Sequence, residues 1–263
     1  MKLCIHTDLE GVAGVHSFHQ QTYADGRYHD AAKRLLTAEV NAAVEGALAA
    51  GATEILVNDS HGPGGMHYES LHHEARILQG GPRPPFPRLA ELLREYDTAC
   101  LIGQHAMEGV ADGTLHHTQS SLNVEYYALN GERIGEIAQV ALLMGVIGVP
   151  LIYLTGDEAA CREARETVPG IATTAVKRGL TRTCAISVSM TKAHELIRAG
   201  MREAIEQHRR KPVAPLTRRG PYRVEIRFRT SDLAEAKERT GWARVDAKTV
   251  ARESPELLEV LFG

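Results

Sequence analysis

The stretch KLCIHTDLEGVAGVHS, residues 2–17, decides the fold class because it joins an apolar strand to an acidic strand end. Residues 3–5 form the apolar run that is typical of a strand buried inside a sheet. Asp8 and Glu10 follow at positions i and i+2, which lie on the same face of an extended chain. Two like charges on one buried face repel each other, so a further group must hold them there. Gly11 is expected to let the backbone turn away where the strand ends.

Beyond this stretch, apolar runs that resemble strands alternate with amphipathic helical patterns. This alternation predicts an α/β fold with a mainly parallel sheet in three layers. The predicted strands cover residues 2–7, 53–59, 98–103, 150–155 and 172–177. The predicted helices cover residues 30–51, 88–96, 135–145, 157–167 and 189–208. Asn130 and Gly131 predict, in addition, a turn between two antiparallel strands.

The C-terminal part of the sequence is organised differently. Residues 211–221 contain several prolines and predict a linker, and the tail after them predicts strand, helix, strand and helix in that order. We therefore predict a main α/β domain at residues 1–210 and a smaller C-terminal α/β lobe at residues 211–263. The lobe can also be integrated with the main domain.

Charge and cysteine content restrict the class of protein. The chain has 30 basic and 33 acidic residues, a net charge of −3, so it lacks the basic surplus that favours nucleic acid and we expect no nucleic-acid partner. The cysteines are widely spaced without a CxxC motif, which indicates a reducing compartment. The apolar start carries His6, Asp8 and Glu10, unlike a signal peptide, and we expect the cytoplasm.

Residues 137–156 are the one stretch long and apolar enough to suggest a membrane span. However, Gly145, Gly148 and Pro150 interrupt it, and Glu136 lies at its start. A helix, a turn and a strand explain this pattern better than a span does. We therefore expect no membrane partner.

Residues that ligate metals are concentrated after the first three predicted strands. Asp8 and Glu10 follow the first strand, Asp59 and His61 the second, and His105 the third. Because ligands of parallel sheets bind at the carboxyl ends of the strands, these side chains are expected to meet there. Carboxylates and imidazoles suit zinc or a similar divalent ion, and two cations would remove the repulsion between the carboxylates. Further candidates lie downstream: His116, His117, Glu136 and Asp157.

Most of these residues also have an ordinary structural explanation. Asp59 can form an Asx turn, Glu136 can interact with the dipole of the helix that it opens, and Asp157 can be an N-cap. Residues 10–14, EGVAG, lack a complete phosphate-loop pattern. The remaining histidines of the early loops are expected to be solvated, although one of them can line a pocket: His16, His19, His67, His72 and His73.

The motifs TDLEG, VNDSHG, GQHA, HHT, NGERIGE and LTGD occur in the order and spacing of the D-aminopeptidase family of zinc peptidases, which the chain resembles over about residues 1–260. The resemblance implies two zinc ions per subunit and a large ring-shaped homo-oligomer, with a decamer as the expected form. It implies His117 as the catalytic histidine and leaves the neighbouring His116 as an alternative. The implied metal ligands are Asp8, Glu10, His61, His105 and Glu136, with Asp8 as the bridge. Apart from the resemblance, we list three residues as candidates for supporting these ligands: Asp59, His116 and Asp157.

The leading hypothesis is therefore a di-zinc aminopeptidase or amidase that hydrolyses small peptides or amides with an N-terminal D-amino acid. His117 can act in it as nucleophile, as general acid or base, or as a donor to the developing oxyanion. A different metallohydrolase, such as a phosphoesterase, is a second hypothesis. The sequence argues against it, because Arg133 and Lys177 are isolated and no cluster of basic residues that could bind a phosphate accompanies the ligands. A metal-binding assembly protein without catalysis is a third.

Overall fold

Strands and helices alternate along residues 1–261, the part of the chain that the computed structural model describes. The strands are β1 (Lys2–Thr7), β2 (Glu54–Asp59), β3 (Ala75–Leu78), β4 (Thr98–Gln104), β5 (Val124–Leu129), β6 (Glu132–Arg133), β7 (Leu151–Asp157), β8 (Ala172–Thr181), β9 (Cys184–Ser187), β10 (Tyr222–Phe228), β11 (Ala243–Arg244) and β12 (Thr249–Ser254). The helices are α1 (His29–Ala49), α2 (Phe86–Leu93), α3 (Glu136–Val146), α4 (Glu158–Thr167), α5 (Met190–Arg210), α6 (Ser231–Glu238) and α7 (Leu257–Leu261).

A seven-stranded sheet in the order β3-β2-β1-β4-β7-β8-β9 forms the centre of the fold. Its strands are parallel except β9, which pairs antiparallel with β8. All residues of β4 and β7 are buried, so both faces of the sheet are covered at its centre, as in other parallel α/β sheets. The predicted α/β class with a mainly parallel sheet is confirmed.

Strand β1 is the third strand of this sheet and aligns the ends of its neighbours, β2 and β4. Thr7 pairs with Asp59 of β2 on one side and with Ile102 of β4 on the other. The loops that follow these three strands therefore leave the sheet at the same edge. This register positions the candidate site.

The apolar segment at residues 137–156 is helix α3 followed by strand β7, with Gly148 in a left-handed conformation between them (φ 81°). The interpretation of this segment as helix, turn and strand is confirmed. Within residues 1–261, none of the helices has the length and apolar character needed to cross a membrane.

A second, antiparallel sheet has the order β11-β12-β10-β5-β6. Strand β10 pairs with β5 in such a way that Val224 lies opposite Leu129, so the tail shares this sheet with residues 124–133. Around it, side chains of α3 pack with Trp242 and Val260 in a core of its own. The division into domains at residues 210 and 211 stays a prediction, and residues 262–263 of the predicted lobe lie outside the described residues.

Candidate metal centre

Four of the five predicted ligands lie in the loops that follow β1, β2 and β4. The chain continues beside β4 after β1 ends, because the Asp8 amide donates to the Ile102 carbonyl (2.9 Å) and the Gly11 amide to the Gly103 carbonyl (2.7 Å). Asp8 and Glu10 are thereby held next to His105, which follows β4 directly. All three side chains are buried.

Asp8 lies between two imidazoles, one on each of its carboxylate oxygens. Its Oδ1 is 3.2 Å from Nδ1 of His61, and its Oδ2 is 3.1 Å from Nε2 of His105. Glu10 lies on the His61 side, where its Oε2 is 3.4 Å from the same Nδ1. A carboxylate that faces two separate groups of donor atoms has the arrangement of a bridging ligand.

Glu136 and His117 complete the cluster on the His105 side. Glu136 is the first residue of α3, and its Oε1 is 3.6 Å from Nε2 of His105 and 3.8 Å from Nε2 of His117. The rings of His105 and His117 stack with centroids 4.0 Å apart. Two sets of three residues each have their ligand atoms within 4.8 Å of one another: Asp8, Glu10 and His105 form one set, and His105, His117 and Glu136 form the other.

Backbone carbonyls orient all three imidazoles. Nε2 of His61 lies 2.8 Å from the Thr22 carbonyl oxygen. Nδ1 of His105 is 2.9 Å from the Ala106 oxygen, and Nδ1 of His117 is 3.0 Å from the Leu115 oxygen. A ring nitrogen next to a carbonyl must carry the proton, so each neutral imidazole directs a lone pair from its other nitrogen towards the carboxylates. Metal-binding histidines are oriented in this way.

Two buried ligand atoms of the cluster, Oε2 of Glu10 and Nε2 of His105, make no well-aligned hydrogen bond within residues 1–261. Their contacts are with His61 Nδ1 at 3.4 Å and with Asp8 Oδ2 at 3.1 Å. Buried polar atoms are nearly always well hydrogen-bonded in folded proteins, so these two atoms have capacity for a further partner. A divalent cation is that partner chemically, because it accepts both carboxylate and imidazole ligands. The residues present therefore fit a metal centre.

The charges of the cluster shift its pKa values strongly. Burial lowers the pKa of His61, but the nearby carboxylates of Glu10 and Asp8 outweigh burial and raise it to about 11. Burial likewise opposes the charged form of His105, whose pKa the carboxylates of Asp8 and Glu136 raise to about 10. The carboxylates thus require positive charge beside them, from protons on the imidazoles or from bound cations.

The three residues predicted to support the ligands hold loops in place. The Asp59 carboxylate accepts from the amides of residues 65 and 66, which closes the turn that carries His61. Asp157 is the N-cap of α4 through the Ala160 amide (2.7 Å) and also accepts from the amide of residue 114 (2.6 Å), three residues before His117. The His116 ring points elsewhere, with Nδ1 3.1 Å from the Gly109 amide nitrogen.

Two further residues contact the site, and neither was predicted from the sequence. The Gln104 amide donates from Nε2 to Oδ2 of Asp8 (3.1 Å), and the Phe18 ring lies edge-on to the ring of His117 at 5.6 Å between centroids. Gln104 stands inside the GQHA motif, so its position was a usable signal. Phe18 begins a π-helical turn, Phe18–Thr22, and nothing in its local sequence indicates that it reaches the site.

Known proteins resemble this chain in both sequence and fold. A family model for D-aminopeptidase matches residues 1–262. A D-aminopeptidase of Bacillus subtilis (strain 168) is 30% identical over 220 residues, which cover 82% of this chain and 77% of that protein. The solved structure of a Zn-dependent D-aminopeptidase, DppA from Bacillus subtilis, a self-compartmentalizing protease, superimposes with a TM-score of 0.91 at 28% identity, over 100% of this chain and 94% of the other. The predicted resemblance is confirmed, and the chain belongs to the D-aminopeptidase family.

Proposed function

We propose that this chain is a zinc-dependent aminopeptidase or amidase with two zinc ions per subunit. Its substrates would be small peptides or amino-acid amides, with an N-terminal D-amino acid preferred. The observation that carries the proposal is that five predicted ligands converge: His61 contacts Asp8 and Glu10, and His105 contacts Asp8 and Glu136. Family membership and the likeness to a Zn-dependent D-aminopeptidase support the same chemistry.

The ligands divide into two groups on either side of Asp8. One ion would be held by Oδ1 of Asp8 with Glu10 and His61. Nδ1 of His61 lies 3.2 Å from Oδ1 of Asp8 and 3.4 Å from Oε2 of Glu10. The other would be held by Oδ2 of Asp8 with His105 and Glu136. When bound, two such ions polarise a carbonyl oxygen and lower the pKa of a bound water.

His117 is proposed as the catalytic histidine. Its Nδ1 is fixed by the Leu115 carbonyl oxygen, so its Nε2 is free to take or give a proton beside Glu136. The side chain is buried and lies against Phe18, which excludes water from one side of the imidazole. In this position, Nε2 can act as nucleophile, as general acid or base, or as donor to a developing oxyanion.

The proposal is tested by removing one ligand from each group. We expect His61→Ala and Glu136→Ala to lose zinc and to lose hydrolysis of D- and L-aminoacyl amides and dipeptides. Metal content is measured by elemental analysis on the purified proteins. His73→Ala is the matched control, because His73 is exposed and outside the cluster. Full zinc content and activity in both ligand variants would contradict the proposal, and cleavage of a chromogenic phosphodiester instead would favour a phosphoesterase.

We propose further that the chain forms a ring-shaped homo-oligomer, with a decamer as the expected form, and that it works in the cytoplasm. The likeness to a self-compartmentalizing protease supports an assembly. The four cysteines, all of them free thiols, support a reducing compartment. Light scattering coupled to size exclusion measures the number of subunits.

A further inference from the structure

Lys177 is a buried cation that the mechanism above does not use. It lies on β8, and only 3% of the residue is exposed. Its ammonium donates to the carbonyl oxygen of Glu10 and to that of Val15 (2.6 Å). Both acceptors belong to the segment that follows β1, which we call the acidic loop, residues 10–15. A buried lysine therefore connects a distant strand to the backbone of a predicted metal ligand.

A buried glutamate on another element is hydrogen-bonded to the same loop. Glu39 of α1 is 2% exposed, and its Oε1 accepts from the Ala13 amide (2.9 Å). The acidic loop is thus held from β8 at its two ends and from α1 in its middle. Burial lowers the pKa of Lys177 to about 8, while the charges of Asp157 and Glu39 favour its protonated form.

The contacts of Lys177 fix the main chain of the acidic loop and leave the carboxylate of Glu10 free. Two of the three N–H groups of the ammonium donate to the carbonyl oxygens of Glu10 and Val15. Without the lysine, these two oxygens would lose this hydrogen bond. Holding the Glu10 carbonyl fixes the peptide plane on its C-terminal side, so the side chain projects towards His61. The group fixes a ligand through its backbone, as outer-shell partners of metal sites do through side chains.

We propose that Lys177, together with Glu39, is a positioning residue that holds the acidic loop so that Glu10 reaches the metal centre. The inference rests on the proposed function, because it assumes that Glu10 is a ligand. It predicts that the affinity for zinc, and not merely folding, depends on a side chain that touches no ligand atom.

Lys177→Met tests this, because methionine has similar length without a donor. We expect the affinity for zinc, measured by competition with a chromogenic chelator, to fall 10- to 100-fold, which is the usual effect of losing an outer-shell partner. The gap in melting temperature between zinc-loaded and metal-free protein should shrink accordingly. Arg178→Met is the matched control, since the neighbouring Arg178 is exposed on the same strand, and it should keep the wild-type affinity.

A merely structural role gives a different result. It would lower the melting temperatures of the metal-free and the zinc-loaded protein equally and leave the affinity for zinc unchanged, which would overturn the inference. If the wild-type protein bound no zinc, both the proposed function and the inference on Lys177 would fail. Unchanged affinity in Lys177→Met beside a zinc-binding wild type would overturn the positioning role alone.

Glu39 provides a second test that holds even if Lys177→Met does not fold. Glu39→Ala removes the acceptor of the Ala13 amide, whereas Glu39→Gln keeps an oxygen acceptor at the same place. We expect Glu39→Ala to weaken zinc binding about 10-fold and Glu39→Gln to restore most of that affinity. Equal zinc affinity in wild type and Glu39→Ala would overturn the inference.

Discussion

Three imidazoles at the centre of the site share one arrangement, with one nitrogen against a carbonyl oxygen and the other towards carboxylates. They differ in what surrounds them. His61 and His105 each have a ring nitrogen within 3.2 Å of a carboxylate oxygen, whereas the nearest carboxylate oxygen to His117 Nε2 is 3.8 Å away, on Glu136. This difference separates the two proposed ligands from the proposed catalytic residue.

His117→Ala should therefore retain zinc and lose turnover. General acid–base or oxyanion contributions of one group are typically 10²–10⁴-fold, so we expect kcat for an aminoacyl amide to fall by about that range. Elemental analysis of the same preparation checks the metal content. His116→Ala, whose ring points to the Gly109 amide, serves as comparison and should stay much more active. Loss of zinc from His117→Ala would identify His117 as a ligand instead.

Gly11 follows Asp8 and Glu10 for a steric reason. A Cβ atom there would lie 2.0 Å from the Gln104 carbonyl oxygen, so only glycine lets the loop run this close to β4. The Gln104 side chain in turn donates to Asp8. Gly11 also lies in the predicted turn after β1, where the Val12 amide donates to the Leu9 carbonyl oxygen (3.3 Å). The close approach to β4 is a second reason for glycine, which the sequence did not indicate.

Among the elements, α4 carries a buried carboxyl group next to the start of α3. Oε2 of Glu163 accepts from the Met107 amide (2.8 Å), and its Oε1 would lie 2.3 Å from a Cβ atom at Gly135, the N-cap of α3. Burial raises the pKa of Glu163 from its ordinary value of 4.5 to about 7. The folded protein thus keeps this carboxyl group protonated at pH values where the unfolded chain ionises it.

Glu163→Gln should change how stability depends on pH. Because the folded pKa is raised, the wild-type contribution is fully present below about pH 4.5 and is lost as the pH rises towards 7. The glutamine does not ionise, so the metal-free variant should gain about 2–3 kcal/mol relative to wild type between pH 4.5 and 7.5. Urea unfolding of both proteins at the two pH values measures this gain. Parallel pH profiles would contradict the raised pKa.

Element by element, the sequence predicted the central strands and the long helices, because apolar runs and amphipathic periods are local signals. Strands β3 and β9 were not predicted. Strand β3 has only four residues, within a passage rich in proline and glycine, and β9 is a short, mostly exposed edge strand. Neither has a strong apolar pattern, because each packs on the sheet from its rim.

Some residues of the candidate site could likewise be predicted from the sequence, and others could not. Ligand types at strand ends could be predicted, since the parallel topology brings such ends together and the family motifs mark them. Lys177 could not, because its partners are backbone carbonyls of residues more than 160 positions earlier in the chain. The same holds for Phe18, whose contact with His117 depends on the path of an irregular loop. Neither the backbone contacts of Lys177 nor the ring contact of Phe18 leaves a pattern in the local sequence.

In the molecule as a whole, contacts among the proposed ligands connect the ends of β1, β2 and β4 with the start of α3. Removing zinc should therefore loosen these elements against one another, since the buried carboxylates lose their cations. We expect the melting temperature to fall on treatment with a chelator and to recover when zinc is added back. At a free zinc concentration 1,000 times the dissociation constant, binding stabilises by about 4 kcal/mol. An unchanged melting temperature at matched pH would contradict a role for zinc in stability.

The position of β1 between β2 and β4 has a consequence for how the molecule folds. Asp8 and Glu10 precede the other proposed ligands, and the partners of their strand lie far along the chain, since Thr7 pairs with Asp59 and Ile102. Such non-local pairing comes late, after long loops have closed. A complete ion-binding cage then exists only in nearly native chains. Zinc should consequently act on the unfolding rate, by prolonging the lifetime of the native state, and leave the folding rate almost unchanged.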